Sequence, residues 1–376
     1  MNTPLAILNL LHQKVRTCVA VLGVAFAIVL VFMQLGFLGA VEATATLLYE
    51  RLDFDLLLVS ADFREVNRPG TFPKERLQQV ETFTAVEHAV PLYVGFHLWR
   101  NPDSRHRRLI MILGFRPPDH AFRFPEVEDS LPQLQQLDNV LIDRRSRPEF
   151  GPRDRGVTTE IGAHKVTVVG QFALGGGFAA DGMIIAGDQT FARIFGALPL
   201  DRANLGLIKL RPGTSGEEAA ASLNRVLPVD VRVWTRKGIE ARERQHWLRN
   251  TSLGIIFGLG VFVALMVGTV FLYQVISSDI ASHLVEFATL KAIGYGSGYL
   301  SRVVLIQALI VALVSYVPGL IVALGLYTVT RQYAGIPIGM TVGRAALVLI
   351  LAAAMCSLSG FFALHKVKAA DPADLF

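Results

Sequence analysis

The chain contains four uninterrupted apolar runs: Cys18 to Val41, Leu253 to Ile276, Val303 to Val329 and Ala345 to Leu364. Each run can form a membrane-spanning helix, because roughly 20 helical residues cross the hydrocarbon core of a bilayer. Hydrophobic residues make up 52% of the 376, which is more apolar surface than one soluble domain buries. The sequence therefore predicts an integral membrane protein with four spans. The first run exceeds the roughly 7 to 15 residues of a signal-peptide core, so we interpret it as a retained anchor.

Positively charged residues predict the orientation of these spans. An even number of spans places both termini on one side, and that side carries most of the flanking positive charge: Lys14, Arg16, Lys291, Arg302, Lys366 and Lys368. The short loop on the other side, 330–344, holds Arg331 and Arg344. By the positive-inside rule both termini are cytoplasmic. A further basic group opposes this, but it belongs to a long translocated segment whose charges the rule largely discounts: Arg242, Arg244 and Arg249.

Residues 1–16 predict an elbow helix at the cytoplasmic surface. Four apolar side chains share one helical face, opposite polar ones: Leu5, Leu8, Leu11 and Val15. A helix with this pattern lies in the membrane interface and leads into the first span. The alternative is a simple polar leader. At the other end of the chain, residues 365–376 form a cytoplasmic tail.

Helical pattern continues beyond the membrane at two places. No Gly or Pro interrupts residues 41–52 after the first span, so a helix from about Arg16 to Arg51 would be on the order of 50 Å long. The second span is preceded by KGIEARERQHWLRNTS, which has no breaker after Gly238. We therefore predict two stalk helices, within 17–52 and 237–276, that carry a soluble domain between them.

The segment 53–236 predicts a large extracytoplasmic α/β domain. Its first part has a β-α-β-β order, with the segments FDLLLVS, PKERLQQVETF, VPLYVGFHLW and RRLIMILGF. Its last part has a β-α-β order, with NLGLIKLR, SGEEAAASLNRVL and VDVRVWT. The two parts would pack as one split α/β unit. Further short strands between them predict a β-rich insert at about 116–200: NVLIDRR, HKVTVVGQF and DGMIIAG.

The predicted cytoplasmic loop 277–302 links the second and third spans. As a helix, it carries an apolar stripe opposite a polar face, with the stripe formed by Ile280, Leu284, Phe287, Leu290 and Ile293. This segment is too short and polar to cross a membrane and would lie along its surface. Gly294 would end the helix. The third span, 303–329, and the fourth, 345–364, follow.

The sequence lacks the residues that most transport and catalytic chemistries need. None of the four apolar runs contains Asp, Glu, Lys or Arg, which disfavours ion-coupled transport. We find no GxxxxGK[ST] phosphate loop, HExxH, CxxC or GxSxG motif, so the chain is predicted to be no enzyme and to bind no cofactor. Its histidines have no metal-ligand spacing. No basic stripe interleaved with aromatic residues indicates nucleic acid.

One basic cluster could contact an acidic partner or an anionic lipid headgroup. It comprises Arg105, Arg107 and Arg108, with Arg100 nearby. The alternative interpretation is an ordinary solvated basic face.

The segment Glu286 to Gly294, EFATLKAIG, resembles the E-x-x-x-L-[KR]-A-[IL]-G signature in the cytoplasmic loop of FtsX/MacB-type ABC transporter permeases. The terminal DPADLF is similar to the DPxExL tail of these permeases, and the order of elbow, span, large domain and three spans is also theirs. Within this group the chain most resembles the DevC permeases of cyanobacterial exporters. The stretches that carry this closer match are NLLHQKVRTCVAVLGVAFAIVLVFMQLGF and SRPEFG.

The resemblance implies a fold, partners and a location. It implies a homodimer of MacB-like subunits in the inner membrane of a bacterium, here a cyanobacterium. A separate cytoplasmic ATPase would hold ATP and Mg, and a periplasmic membrane-fusion adaptor and a TolC-like outer-membrane channel would complete a tripartite exporter. Such systems are thought to work by mechanotransmission, and the cargo would be a lipid, a glycolipid or another hydrophobic compound.

The resemblance also assigns the ATPase contact to 278–299. Glu286 and Lys291 would be its polar contacts, Phe287 and Leu290 its apolar anchors, and Gly294 its end. Packing on the membrane surface is the alternative role for the apolar pair.

Two other functions share this architecture. One is an FtsX-like scaffold that does not transport and instead regulates a periplasmic cell-wall hydrolase. The other is a lipoprotein-releasing permease of the LolC/LolE type. Both would use the same ATPase contact, so the cytoplasmic motif does not separate them from an exporter.

Overall fold

The computed structural model describes residues 14–196, 199–282 and 297–368. It divides into two compact units. We call them the membrane unit, made of the described residues up to Gly39, Gly254–Arg331 and those from Ile338 on, and the α/β unit, made of Ala40–Leu253 with Gln332–Pro337. Most of the predicted elbow, the centre of the coupling loop and the end of the tail lie outside the described residues.

The helices in the described ranges are α1 (Lys14–Leu47), α2 (Glu75–Glu81), α3 (Pro125–Glu128), α4 (Leu131–Leu134), α5 (Asp188–Ile194), α6 (Gly216–Val226), α7 (Arg236–Arg249), α8 (Ser252–Ser282), α9 (Ser297–Ala334) and α10 (Val342–Lys368). The strands are β1 (Leu56–Ser60), β2 (Phe72–Pro73), β3 (Val86–Arg100), β4 (Arg107–Phe115), β5 (Asn139–Asp143), β6 (Thr158–Ile161), β7 (His164–Phe172), β8 (Met183–Gly187), β9 (Arg202–Ala203), β10 (Leu205–Leu210) and β11 (Val231–Thr235).

The helices of the described ranges confirm the four predicted spans, the first of which continues beyond the membrane unit into the α/β unit. Their span-length apolar stretches are Thr17–Leu47, Ser252–Ser278, Arg302–Ala334 and Val342–Ala363. Helix α1 contributes buried residues to the core of the membrane unit, including Val24, Ile28 and Phe32. Helix α8 instead exposes many of its apolar side chains, which is the surface that lipid contact requires.

A close approach between α1 and α9 explains one glycine of the first span. Gly36 faces the ring of Tyr327, and a Cβ atom at Gly36 would lie 2.4 Å from the Tyr327 hydroxyl. That hydroxyl donates to the carbonyl of Phe32. Small residues allow helix backbones to approach in this way within membranes.

Within the described residues, the α/β unit is organised around one nine-stranded sheet in the order β11-β1-β10-β3-β4-β8-β5-β7-β6. Strand β1 of the first predicted group lies between β11 and β10 of the second group, all in antiparallel pairing. Strand β10 then pairs with β3. The two groups are therefore interleaved in one sheet.

The strands of the predicted β-rich insert at about 116–200 continue the same sheet. Strand β8 of the insert pairs in parallel with β4. Strand β6 returns to β3 through the pair Trp99↔Ile161. The strands β3, β4, β8, β5, β7 and β6 therefore form a closed ring, which we call the barrel.

The length of β3 allows it to belong to both the interleaved part of the sheet and the barrel. Its 15 residues would extend about 50 Å, well beyond the usual strand length. Residues 86–92 pair with β10, and residues 92–100 pair with β4. One strand therefore belongs to both the interleaved part of the sheet and the barrel.

Side chains cover the open strand edges of this sheet. On β11, the Asn224 amide donates to the Val233 carbonyl at 2.8 Å and accepts from the Val233 N–H at 2.9 Å. On β3, the Glu81 carboxylate accepts from the Ala89 N–H at 3.1 Å, and Pro91 has no N–H to offer. Both devices oppose the addition of a further strand.

We predict that Asn224→Leu destabilises the protein by about 1–2 kcal/mol, because two hydrogen bonds to the β11 edge are lost. Thermal unfolding of the full chain in detergent measures the effect. Arg225→Leu, at the next exposed position of α6, is the matched control and should leave the midpoint unchanged. An equal effect of both substitutions would contradict the role of the Asn224 amide.

Candidate functional site: the stalk junction

The two stalks, residues 40–52 and helix α7, meet one face of the sheet in a buried cluster. We call this contact region the stalk junction. From the first stalk it buries Leu48, Tyr49 and Leu52, and from the sheet face it buries Leu57, Val59, Val90 and Leu92. Ile239 of α7 is fully buried in the same cluster. The stalks therefore share a hydrophobic core with the sheet.

The first stalk is helical as predicted, and the second is interrupted. Helix α1 runs for 34 residues to Leu47, and a 3-10 turn, Tyr49–Arg51, follows. The second stalk was predicted to enter its span without a break, which is wrong: α7 ends at Arg249 and α8 begins at Ser252. The Thr251 hydroxyl donates to the Trp247 carbonyl at 2.6 Å, and such local side-chain bonds compete with helical pairing.

Arg236, the first residue of α7, joins the beginning of the second stalk to the end of the first. Its guanidinium donates to the carbonyl of Tyr49, to that of Leu52 at 2.9 Å and to that of Phe54 at 2.6 Å. It also lies 3.9 Å from the centre of the Phe54 ring. Burial lowers the pKa of Arg236 from its ordinary value. The arginine therefore acts as a clamp on this turn: it supplies donors to the Leu52 and Phe54 carbonyl groups, and a second donor to the Tyr49 carbonyl, which also accepts from the Leu52 N–H.

Arg242 makes a second contact between α7 and the chain after β1. It donates to the Phe63 carbonyl at 2.6 Å. Its guanidinium lies over two rings, at 5.8 Å from Phe63 and 5.3 Å from Trp234. A single side chain thus ties the middle of α7 to the segment 61–68 and to β11.

Glu243, on the same helix, is a fully buried carboxyl group. It accepts from the Tyr49 hydroxyl at 3.2 Å and from the Val66 N–H at 2.8 Å. Among the described residues, no Lys or Arg forms an ion pair with it. Burial is the main reason that the pKa of Glu243 rises to about 7. Glu243 thereby connects α7, the first stalk and the segment 61–68.

The barrel reaches the first stalk through the loop 173–181. The buried Asp143 carboxylate holds the start of this loop by accepting from the backbone N–H groups of Leu174 and Gly175. The Phe178 N–H donates to the Thr44 hydroxyl of α1 at 3.3 Å. Gly177 has a φ of +53°, and a Cβ atom there would lie 2.2 Å from the same hydroxyl. Gly177 therefore lies in a turn that contacts the first stalk.

The basic cluster singled out in the sequence lies on the β3–β4 hairpin. Arg108 is 2.7 Å from Asp181 and 3.8 Å from Glu149, so it is engaged within the unit. Those carboxylates raise the pKa of Arg108. Arg105 and Arg107 are exposed, and neither forms an ion pair with another described residue. Only these two remain candidates for a partner or headgroup contact.

The other predicted site residues are mostly outside the described ranges. They are the coupling residues Glu286, Phe287, Leu290, Lys291 and Gly294 and the elbow residues Leu5, Leu8 and Leu11. Val15 is described and lies exposed in the first turn of α1. Within the described ranges, no group of three or more His, Cys, Asp or Glu side chains could hold a metal ion.

Two family models match the chain. Residues 17–226 match the MacB-like periplasmic core domain, and residues 258–372 match the FtsX-like permease C-terminal domain. No curated protein is a detectable sequence relative.

Solved structures of extracytoplasmic domains show weaker likeness. The periplasmic region of MacB from Actinobacillus actinomycetemcomitans has a TM-score of 0.37 at 12% identity, covering 50% of this chain and 90% of that one. The extracellular domain of the ABC-type transporter YknZ from Gram-positive bacteria has a TM-score of 0.34 at 14% identity, covering 48% and 99%. At such TM-scores neither structure adds to the family matches.

Replacing the clamp should weaken the junction. We expect Arg236→Gln to destabilise the protein by about 2–4 kcal/mol, because charge-assisted bonds to buried carbonyl groups are lost. The midpoint of thermal unfolding of the full chain in detergent reports the loss. Lys237→Gln removes the same charge at an adjacent exposed position and should have little effect. A similar loss in both variants would show that charge alone, and not the clamp, is responsible.

Proposed function

Because the chain belongs to the FtsX/MacB-like permease family, we propose that it is the membrane subunit of an ATP-driven exporter that works by transmitting motion. The family consists of ABC-type permeases, which are multi-pass inner-membrane proteins and typically non-enzymatic transporter subunits. A cytoplasmic ABC ATPase is the partner that such a subunit works with.

The stalk junction is the observation that carries the proposal of mechanotransmission. A helical stalk transmits displacement only if its end is fixed to the body that must move. Here the first stalk is fixed to α7 by Arg236 and Glu243, and to the barrel by Thr44. The Glu243 contact is buried and the Arg236 and Thr44 contacts are partly buried, so movement of the stalks would be passed to the sheet instead of being lost in a loose linker.

The composition of the four apolar runs favours a permease that transmits motion over one that passes cargo through its membrane spans. The runs contain no Asp, Glu, Lys or Arg. Polar cargo or coupled ions would require such groups within the membrane. The energy would come from ATP and Mg held by the partner ATPase, which would push on the loop 277–302 and on the elbow 1–16.

The remaining partners follow from the resemblance to DevC permeases. We propose a homodimer with two copies of the ATPase, a periplasmic membrane-fusion adaptor and a TolC-like outer-membrane channel. The cargo would be a lipid, a glycolipid or another hydrophobic compound. The α/β unit would contact the adaptor and change its conformation in each ATP cycle.

The ATPase contact can be tested by charge reversal. We expect Glu286→Lys to reduce the permease-dependent part of the ATP hydrolysis rate of the reconstituted permease–ATPase complex at least tenfold. The folding of the permease should be unchanged. Glu217→Lys, the same change at an exposed position of α6, is the control. Permease-dependent hydrolysis that is normal in Glu286→Lys would exclude this residue as a contact.

Transmission through the stalk can be tested without knowing the cargo. Spin labels on Glu217→Cys, with Cys18 and Cys356 replaced by Ser, would report the distance between the α/β units of a dimer with and without trapped ATP. We expect Glu42→Gly/Ala43→Gly to abolish the ATP-dependent change and retain hydrolysis, because each Gly weakens a helix by about 1 kcal/mol. Glu42→Ala keeps the helix and should retain the change. An unaltered distance change in the glycine variant would refute transmission through this stalk.

A further inference from the structure

The surroundings of Glu243 are unusual for a carboxyl group that serves only packing. Its side chain is fully buried, and its bonded neighbours are the Tyr49 hydroxyl and the Val66 N–H. An ionised carboxylate here would be a buried charge without an opposite charge in contact, which is costly. A neutral carboxyl group removes that charge and keeps both contacts, because its oxygens can still accept from the Tyr49 hydroxyl and the Val66 N–H.

The charged groups around Glu243 do not remove this cost. On α7, Glu240 precedes it and Arg242 is directed to the Phe63 carbonyl and to two rings. From the segment 61–68, Glu65 adds a negative charge that opposes ionisation. From the first stalk, Tyr49 is the facing titratable group, and burial raises its pKa well above the ordinary value. Trp247, one turn further along α7, favours the ionised form of Glu243, as do the bonds from Tyr49 and the Val66 N–H, but burial is the largest effect and raises the pKa.

We propose that Glu243 is a proton-operated lock of the stalk junction, closed when its carboxyl group is neutral and loosened when the proton leaves. On loosening, the proton passes to solvent, and the carboxylate becomes hydrated as Tyr49 and the Val66 segment separate from α7. The lock rests on the proposed function for its biological meaning: it would make the stiffness of the force-transmitting junction depend on extracytoplasmic pH.

The direction of the pH dependence follows from the pKa of Glu243, which is about 7 in the closed junction and 4.5 in its ordinary state. Below about pH 4.5 the group is protonated in both the closed and the open junction, and the closed state has its full stability. Between the two pKa values only the open junction loses the proton, so opening becomes more favourable as pH rises. Above about pH 7 both states are ionised and the dependence ends.

Hydrogen exchange of the full chain in detergent, between pH 5 and 8.5, tests the lock. After correction for intrinsic exchange rates, protection of peptides containing Tyr49 and Val66 should fall roughly tenfold per pH unit up to about pH 7 and then level off. In Glu243→Gln, which keeps the size and an acceptor oxygen, the same peptides should show no such slope. Peptides from β6 serve as an internal control, since its buried Ile161 belongs to a different hydrophobic cluster from the junction.

A second variant keeps the test informative if Glu243→Gln folds poorly. Glu65→Gln removes the opposing negative charge, and the upper end of the pH window should move to lower pH. A flat wild-type profile would overturn the proposal, as would the wild-type slope persisting in Glu243→Gln. No ATPase, adaptor or cargo enters the measurement, so failure of the lock would leave the proposed function standing, and failure of the transport tests would leave the lock standing.

Discussion

The structure of the α/β unit depends on which hydrogen-bond donors the backbone carbonyl groups at the end of the first stalk find. A helix that ends inside a folded domain leaves carbonyl groups without partners. Arg236 supplies donors to three of the carbonyl groups in and after the final turn, and it comes from the first residue of the second stalk. The chain therefore enters and leaves the domain at one fixed point. Without that point, the buried apolar contacts of Tyr49 and Leu52 would have no defined geometry.

The long strand β3 connects the stalk junction to the barrel. It pairs with β10 near the stalk junction and with β4 in the barrel. The barrel returns to the first stalk through the loop 173–181, where Phe178 contacts Thr44. The stalk is thus held at two levels, about 7 Å apart along its helix, as the helical rise between Thr44 and Tyr49 implies. Two points of attachment resist tilting in a way that one does not.

The local sequence pattern predicted most of this fold but not the closure of the barrel. The four spans follow from apolar length, and the main strands follow from alternation, as in β7, or from a short apolar run, as in β4. Closure of the barrel depends on Trp99 pairing with Ile161, which are far apart in sequence and carry no local signal of contact. Glu243 lies in a highly polar segment that reads as a solvated helix, and only the tertiary packing of the first stalk buries it. The coupling residues near Glu286 remain predictions.

The stalk junction combines two kinds of polar contact with different responses to pH. The guanidinium of Arg236 stays charged at any physiological pH, so its hold on the backbone is permanent. Burial raises the pKa of Glu243 to about 7, so its carboxyl group can be neutral or charged near neutral pH. An apolar side chain of similar size would pack there without the cost of burying a carboxyl group. A junction built for strength alone would use two permanent contacts, whereas this one pairs a permanent contact with an adjustable one.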